Sequence, residues 1–247
     1  MTATFGDLGQ VDVAVLAGGL GTRLRGADAG LPKVLADVGG ETFLDFLLRW
    51  LRDSGCRRVV LCLGFRAEAV VAHVAAGAPD GLQILTSIEP SPLGTCGALR
   101  HASHQLRSNP VVVINGDSFV DIDLGAALRE HMRHGARASI VGVHVADASD
   151  CGILKLDGAG FVQSFEEKVA GCGAGLVNAG VYFFSRLLLD EICSGMKSSL
   201  EREVLPFLGG GALRAIERTD FFLDIGTPER LAAAAAAFAS LGAPRQI

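Results

Sequence analysis

Glycines at 18, 19 and 21, an arginine at 23 and a lysine at 33 follow a short apolar run, Val13 to Ala17, in the segment VAVLAGGLGTRLRGADAGLPKV. Glycine has no Cβ, so a strand that empties into such a turn lets backbone N–H groups approach an anion that side chains would otherwise screen. Arg23 adds a planar guanidinium that grips phosphate oxygens in two places, and Lys33 adds a second full charge. This is chemistry for polyphosphate. It is neither of two familiar phosphate loops: G-x-x-x-x-G-K-[ST] is absent, and a dinucleotide fingerprint starting at Gly19 needs a glycine where Leu24 stands. The glycines alone fit an ordinary tight strand-to-helix connection equally well; Thr22, Arg23, Pro32 and Lys33 are what distinguish the string.

Two aspartates form a second candidate group. Asn115-Gly116-Asp117 follows the apolar run Val111 to Ile114, and Asp224 closes Phe221 to Leu223 ahead of Ile225-Gly226-Thr227-Pro228. Asp117 alone fits a turn-forming residue after a strand. As a pair, Asp117 and Asp224 offer hard oxygen ligands for Mg²⁺ shared with a phosphate, and they meet if both strands lie in one sheet. His131 and His134 are three apart on an expected helix, but no third ligand is near, and the six histidines read as surface or packing residues.

The elements that must position these groups are legible as alternation. Strands are expected at Val11 to Ala17, Arg57 to Leu63, Gln83 to Ser87, Val111 to Ile114 and Ala138 to Val145. Helices are expected between them, at Thr42 to Ser54, Ala67 to Ala76, Thr95 to Gln105 and Leu124 to His134. Repeated β-then-α predicts an α/β fold, a mainly parallel twisted sheet wrapped by helices on both faces, with ligands at the carboxyl ends of its strands. After Val145 the pattern changes to short strands at Gly152 to Leu156, Phe161 to Glu166 and Val177 to Ser185, an antiparallel excursion with a glycine-rich stretch at Gly171 to Gly175. Helical patterns follow, then a strand at Phe221 to Ile225 and a closing helix from Pro228 to Leu241, with Thr227 as N-cap.

Bulk properties narrow the class. The 247 residues are 49% hydrophobic and 20% charged, a composition of globular enzymes, and one domain is the default for this length. A net charge of -5 and a pI near 5.7 provide no field for nucleic acid or an anionic membrane, so a polyanion must be held by a few placed cations, helix N-termini and a metal. Six scattered cysteines without a C-x-x-C pair read as small buried thiols of a reducing compartment. No cationic leader precedes the first apolar run, which glycine breaks too early to span a bilayer; a cytoplasmic location is expected.

The string G-G-x-G-T-R-L followed by P-K resembles the nucleotide-binding signature of the sugar-1-phosphate nucleotidylyltransferases, and further segments extend the resemblance in order from about Val13 to Leu241. Glu89 to Leu99 looks like the segment that faces the base, Asn115 to Asp117 like the metal-binding N-G-D, and Phe165-Glu166-Glu167-Lys168 like the family's E-K pair. Asn178 to Tyr182 resembles its sugar-contacting N-x-G-x-Y, and Leu223 to Pro228 its second metal carboxylate and final helix. Within the family, Gly116 to Phe119, Asp121 to Leu124, Phe165 to Lys168 and Leu200 to Glu203 look most like the bacterial D-glycero-D-manno-heptose 1-phosphate guanylyltransferases.

The resemblance implies a Rossmann-like three-layer sandwich of the GT-A-like nucleotidyltransferase type, one domain with a nucleotide-binding half at about 11–145 and a sugar-phosphate-binding half at about 146–247. It implies catalytic roles for Arg23 and Lys33, and nucleotide contacts from Leu16, Ala17, Gly18, Gly19, Gly21, Thr22, Glu89, Gly94, Thr95 and Asp117. Gly152, Glu167, Lys168 and Asn178 are implied for the sugar phosphate, and Asp117 and Asp224 for Mg²⁺. The implied partners are a nucleoside triphosphate, GTP in the branch above, and a sugar 1-phosphate, with a homodimer as the expected assembly. Mannose as acceptor, another base, and a non-catalytic sugar-phosphate sensor are the competing readings. Three departures bear on substrate identity: Cys96 within the base-facing segment, Val34 after Lys33, and Cys151 before Gly152.

Overall fold

Alternate residues of the first strand, β1 (Asp12–Leu16), part to opposite sides of a sheet: Val13 and Val15 enter one apolar cluster and Ala14 another. A computed structural model describes residues 6–19, 30–149, 151–166, 173–195, 199–208, 211–219 and 221–241. After β1 come α1 (Phe43–Asp53), β2 (Arg58–Leu63), α2 (Ala67–Gly77), β3 (Gln83–Ile88), α3 (Gly94–Ala102), β4 (Val111–Asn115), β5 (Ser118–Val120), α4 (Leu124–His134) and β6 (Ala138–Val145). The chain continues through β7 (Ile153–Leu156), β8 (Val162–Glu166), β9 (Gly175–Phe184), α5 (Arg186–Ser194), α6 (Leu200–Glu203), β10 (Leu213–Arg218), β11 (Phe222–Asp224) and α7 (Pro228–Leu241).

The main sheet runs β10-β6-β9-β4-β1-β2-β3. Strands β3, β2, β1 and β4 are mutually parallel, β10 is parallel to β6, and β9 is antiparallel to both of its neighbours. Apolar residues of α1, α2, α4 and α7 join the cluster on one face, and those of α3, α5 and α6 the cluster on the other. The result is the three-layer α/β sandwich expected. Helix starts are set by short polar side chains: Thr42, Asp123, Ser185 and Ser199 each accept a backbone N–H of the first turn, and Thr227 Oγ1 accepts Arg230 N at 3.3 Å.

Three expectations are corrected. The run Val177 to Ser185 is not part of a peripheral excursion; as β9 it is a central strand between β4 and β6. The reason lies in its two buried faces, with Ala179, Val181 and Phe183 in one cluster and Leu176, Tyr182 and Phe184 in the other. The excursion is the β7–β8 hairpin, tied to β9 through Ile153 opposite Val177. Leu213–Arg218, read among helical patterns, is the edge strand β10. Strand β11 does not join the main sheet; it pairs antiparallel with β5, a strand not expected, and Phe119 of β5 seats this ribbon against Phe46 at 4.8 Å, Trp50 at 5.3 Å and Phe238 at 5.6 Å. Among the described residues no helix is long and apolar enough to cross a membrane.

One buried imidazole makes the fold pH-sensitive. His131 of α4 stacks on Phe183, meets Ser139 Oγ at 2.8 Å through Nδ1, and is pushed by burial from 6.5 down to about 4. The folded protein holds it neutral while the unfolded chain protonates, so stability falls as pH drops from 6.5 towards 4 and is level below, at no more than about 1.4 kcal/mol per pH unit. Urea unfolding at several pH values is expected to show the gap between wild type and His131→Gln narrowing through that window; a constant gap contradicts the assignment.

Candidate active site

Parallel neighbours deliver the segments after them to one edge of the sheet. Leu16 of β1 lies opposite Asn115 of β4, and one step further Gly116 N donates to Leu16 O at 2.9 Å, so the segments Ala17 to Gly19 and Asn115 to Asp117 leave side by side. Two cavities open at this edge. The larger, about 350 Å³, is lined by Leu16, Ala17, Gly18, Gly19, Glu89, Gly94 and Thr95, together with Val34, Pro92, Ala98 and Gly116. The smaller, about 260 Å³, is lined by Cys151, Gly152, Phe165, Asn178, Gly180 and Asp224 among others. Lys33, Asn115, Asp117 and Glu201 line both.

At the junction Lys33 Nζ donates to Asp117 Oδ2 at 3.0 Å, with the lysine side chain only 17% exposed. Val34, the departure beside Lys33, is buried in the core and anchors the short 3-10 turn Lys33–Leu35 from which the ammonium projects. Asp224 reaches the same cavity by a route the sequence did not suggest. In the β5–β11 ribbon it lies opposite Ser118, and Ile225 N donates to Asp117 O at 2.9 Å. Asp224 Oδ1 accepts Gly226 N, and Oδ2 accepts the Arg230 guanidinium. Beside the two carboxylates, Asn115 Oδ1 is buried with no hydrogen-bond partner. Two carboxylates and an unspent amide oxygen at one cavity are a donor set that suits Mg²⁺. Among the described residues no group of three or more histidine, cysteine, aspartate or glutamate side chains could hold a metal ion.

Glu89, directly after β3, lines the larger cavity. Its Oε2 accepts Leu93 N at 3.1 Å, and burial raises its pKa against the lowering effect of that hydrogen bond. The carboxylate fits because two neighbours lack side chains: a Cβ on Gly64 would lie 2.3 Å from Glu89 Oε1 and one on Gly18 3.1 Å from it. Across the cavity, Thr95 Oγ1 donates to Glu201 Oε2 at 3.1 Å and accepts Leu200 N at 2.8 Å, tying the start of α3 to the start of α6.

In the smaller cavity Asn178 spends one Nδ2 hydrogen on Tyr182 Oη at 2.7 Å and accepts Gly180 N at 2.9 Å, leaving a second amide hydrogen for a ligand. Tyr182 itself does not face the cavity. It is fully buried beneath Asn178, its hydroxyl bonded also to Asn115, and burial raises its pKa. The segment read as sugar-contacting therefore divides into two lining residues, Asn178 and Gly180, and the buried Tyr182 that supports Asn178. Cys96 is buried in the core on α3 rather than lining the cavity, and burial pushes the Cys56 and Cys62 thiols up to about 12.

Of the site residues expected from sequence, Leu16, Ala17, Gly18, Gly19, Lys33, Glu89, Gly94, Thr95 and Asp117 come together around the larger cavity, and Lys33, Asp117, Gly152, Asn178 and Asp224 around the smaller. Gly21, Thr22, Arg23, Glu167 and Lys168 lie outside the described residues. Asn115 was expected only as part of the N-G-D motif, without a role of its own, and Glu201 was not among the expected site residues. Glu201 was hidden because an acid in the first turn after Ser199 is ordinary helix-start chemistry.

The nucleotidyl transferase family model matches residues 13–240, and the chain belongs to that family. The D-glycero-alpha-D-manno-heptose 1-phosphate guanylyltransferase of Campylobacter jejuni is 32% identical over 218 residues, 87% of this chain and 94% of that protein. The mannose-1-phosphate guanylyltransferase catalytic subunit beta of Drosophila melanogaster is 34% identical over 219 residues, again 87% of this chain but 59% of the fly protein. The chain thus spans about three fifths of the length of the mannose-1-phosphate relatives, 62% in the Mycobacterium tuberculosis protein. Among solved structures, HddC from Yersinia pseudotuberculosis complexed with GMP-PN is 33% identical and superposes with a TM-score of 0.84 over 92% of this chain and 99% of that one.

Gly180 is the point where β9 must bend to admit the site. At φ +75° it occupies the left-handed region, and a Cβ there would lie 2.4 Å from Ser118 Oγ and 3.0 Å from Asn115 Cβ. Gly180→Ala is expected to lose about 1–3 kcal/mol in denaturant unfolding. The control is Gly158→Ala, where a Cβ meets nothing within 4 Å; equal stabilities for the two variants contradict the reading.

Proposed function

We propose that this chain transfers a guanylyl group from GTP to a sugar 1-phosphate of manno configuration, releasing pyrophosphate and forming a GDP-sugar. The observation that carries the reading is the pair of cavities joined at Lys33, Asn115, Asp117 and Glu201: two substrates bound one in each would meet where the Lys33 ammonium stands beside the Asp117 and Glu201 carboxylates. The GMP-PN complex of the Yersinia protein supports a guanine nucleotide. The match to the Campylobacter protein supports a heptose 1-phosphate acceptor, and the match to the fly protein keeps mannose 1-phosphate as the second reading.

An oxygen of the sugar phosphate attacks the α-phosphorus; a new P–O bond forms as the bond to the bridging oxygen breaks, and pyrophosphate departs with that electron pair. The attacking oxygen is already ionised at neutral pH, so positioning and charge carry the rate. Lys33, held at the junction, faces both phosphates. Asp117 and Asp224 would hold Mg²⁺, which neutralises charge on the phosphate oxygens. Arg23 takes the leaving pyrophosphate, and Glu167 and Lys168 the sugar and its phosphate. A cytoplasmic enzyme that supplies an activated sugar for surface polysaccharide, capsule or lipopolysaccharide, fits this chemistry.

Glu89 supports the choice of base. A carboxylate presents two acceptors and no donor, which complements the N1–H and exocyclic amino group of guanine and no such paired edge of adenine, cytosine or uracil. Pyrophosphate release measured with four nucleoside triphosphates against heptose and mannose 1-phosphates is expected to favour GTP. Glu89→Gln is expected to lower kcat/KM for GTP about 10- to 100-fold while other nucleotides change little. Because burial raises the Glu89 pKa, the wild-type KM for GTP should climb as pH falls, and the Gln variant should lose that dependence. No pyrophosphate from any pair defeats the transferase reading; unchanged GTP preference in the variant removes Glu89 from base recognition.

A further inference from the structure

Each carboxylate of the acidic pair already carries a cation of the chain. Lys33 Nζ lies 3.0 Å from Asp117 Oδ2, and the Arg230 guanidinium is ion-paired with Asp224 Oδ2. Lys33 has a place in phosphate chemistry; Arg230 has no role in the proposed reaction. It projects from the first turn of α7, whose start is fixed by Arg230 N on Thr227 Oγ1 at 3.3 Å and Leu231 N on Thr227 O at 2.9 Å, so the guanidinium is presented to Asp224 by a rigid element.

The consequence is electrostatic. With Gly226 N on the other oxygen, both oxygens of Asp224 are engaged, and its side chain is only 26% exposed. Within these two ion pairs the charges cancel, so a free divalent ion meets two compensated carboxylates instead of two bare ones, with Glu201 nearby already accepting the Thr95 and Ser199 hydroxyls. An ion carried on a triphosphate brings its own anion and stands differently. Asp147 offers a displaced guanidinium a second partner: it is exposed, and its carboxyl is held low by hydrogen bonds from Ser149, with the charge of Arg230 contributing less.

We propose that Arg230 is a positioning residue that serves as counter-cation to Asp224 until a phosphate-bound metal displaces it, so that the divalent ion enters with the nucleotide and not before. The proposal rests on the reading of Asp117 and Asp224 as the metal pair. Manganese binding to the nucleotide-free protein, followed by electron paramagnetic resonance, tests it without reference to turnover. Arg230→Gln is expected to bind Mn²⁺ about tenfold more tightly than wild type. Arg230→Lys, which keeps the charge, should stay near wild type, and the gain should vanish in Arg230→Gln combined with Asp224→Asn. With GTP bound, the variants should differ less. Arg230→Met, which keeps the apolar stem, is measured alongside, with thermal unfolding of each variant as the check on folding. Unchanged or weaker Mn²⁺ binding in both charge-removing variants, with a further loss on Asp224→Asn, overturns the proposal and leaves the metal pair standing. A gain that survives Asp224→Asn places the ion elsewhere, and the metal-pair reading fails with the inference.

Discussion

The parallel ladder between β1 and β4, extended by the hydrogen bond from Gly116 N to Leu16 O, is the constraint on which the site depends. Two chain segments far apart in sequence are fixed beside each other at the carboxyl edge, one bringing backbone amides at Ala17 to Gly19 and the other the Asp117 carboxylate. The same turn at Asp117 starts β5, and β5 pairs with β11, so Asp224 arrives by main-chain hydrogen bonds, not by its own strand's place in the main sheet. Packing of Phe119 against Phe46, Trp50 and Phe238 holds this ribbon to the α1 and α7 layer. Shifting one of these strands by one residue would exchange its two faces, sending Val13 and Val15 into the layer that Ala14 now fills, so the packing of both clusters holds the register.

Local charge, not the field of the whole molecule, does the binding in this account. The chain carries a net charge of -5, and a polyanion approaching it gains from Lys33 and the helix and loop amides only once inside the cleft. A buried amide oxygen without a partner costs stability on the scale of about 1–3 kcal/mol, so the unpaired Asn115 Oδ1 marks where a ligand atom belongs. Tyr182 shows how the core reaches the same point: its hydroxyl, wholly out of water, steers Asn178 towards the smaller cavity and touches Asn115 as well. Burial, hydrogen bonding and ligand position are here one arrangement.

Most of the first half was legible because its residues obey simple periods. Leu124–His134 and Ala138–Val145 match expectation residue for residue, since alternation and capping by Asp123 leave little choice. The nine described residues expected to touch nucleotide, Lys33 included, line one cavity, because loops after parallel strands converge without any need to know side-chain packing. The second half was harder for a physical reason. Val177 to Ser185 is apolar on both faces, and such a run shows that a strand is buried without showing which strands flank it or in what direction it runs. Three-residue strands such as Ser118–Val120 are too short for any period, and they exist because partners distant in the chain complete them. Glu201 and Arg230 look in sequence like routine helix-start and helix-surface charges; only the meeting of α3 with α6, and of α7 with the β5–β11 ribbon, gives them the site.

In the proposed reaction two substrates meet across a metal at Asp117 and Asp224. Its most direct test is anomalous diffraction from crystals grown with Mn²⁺, a non-hydrolysable GTP analogue and mannose 1-phosphate. A manganese peak is expected between the two carboxylates, with triphosphate density in the larger cavity against Lys33 and the sugar phosphate in the smaller cavity beside Asn178. A nucleotide seated away from Gly18 and Glu89, or a manganese peak remote from both aspartates, contradicts that arrangement.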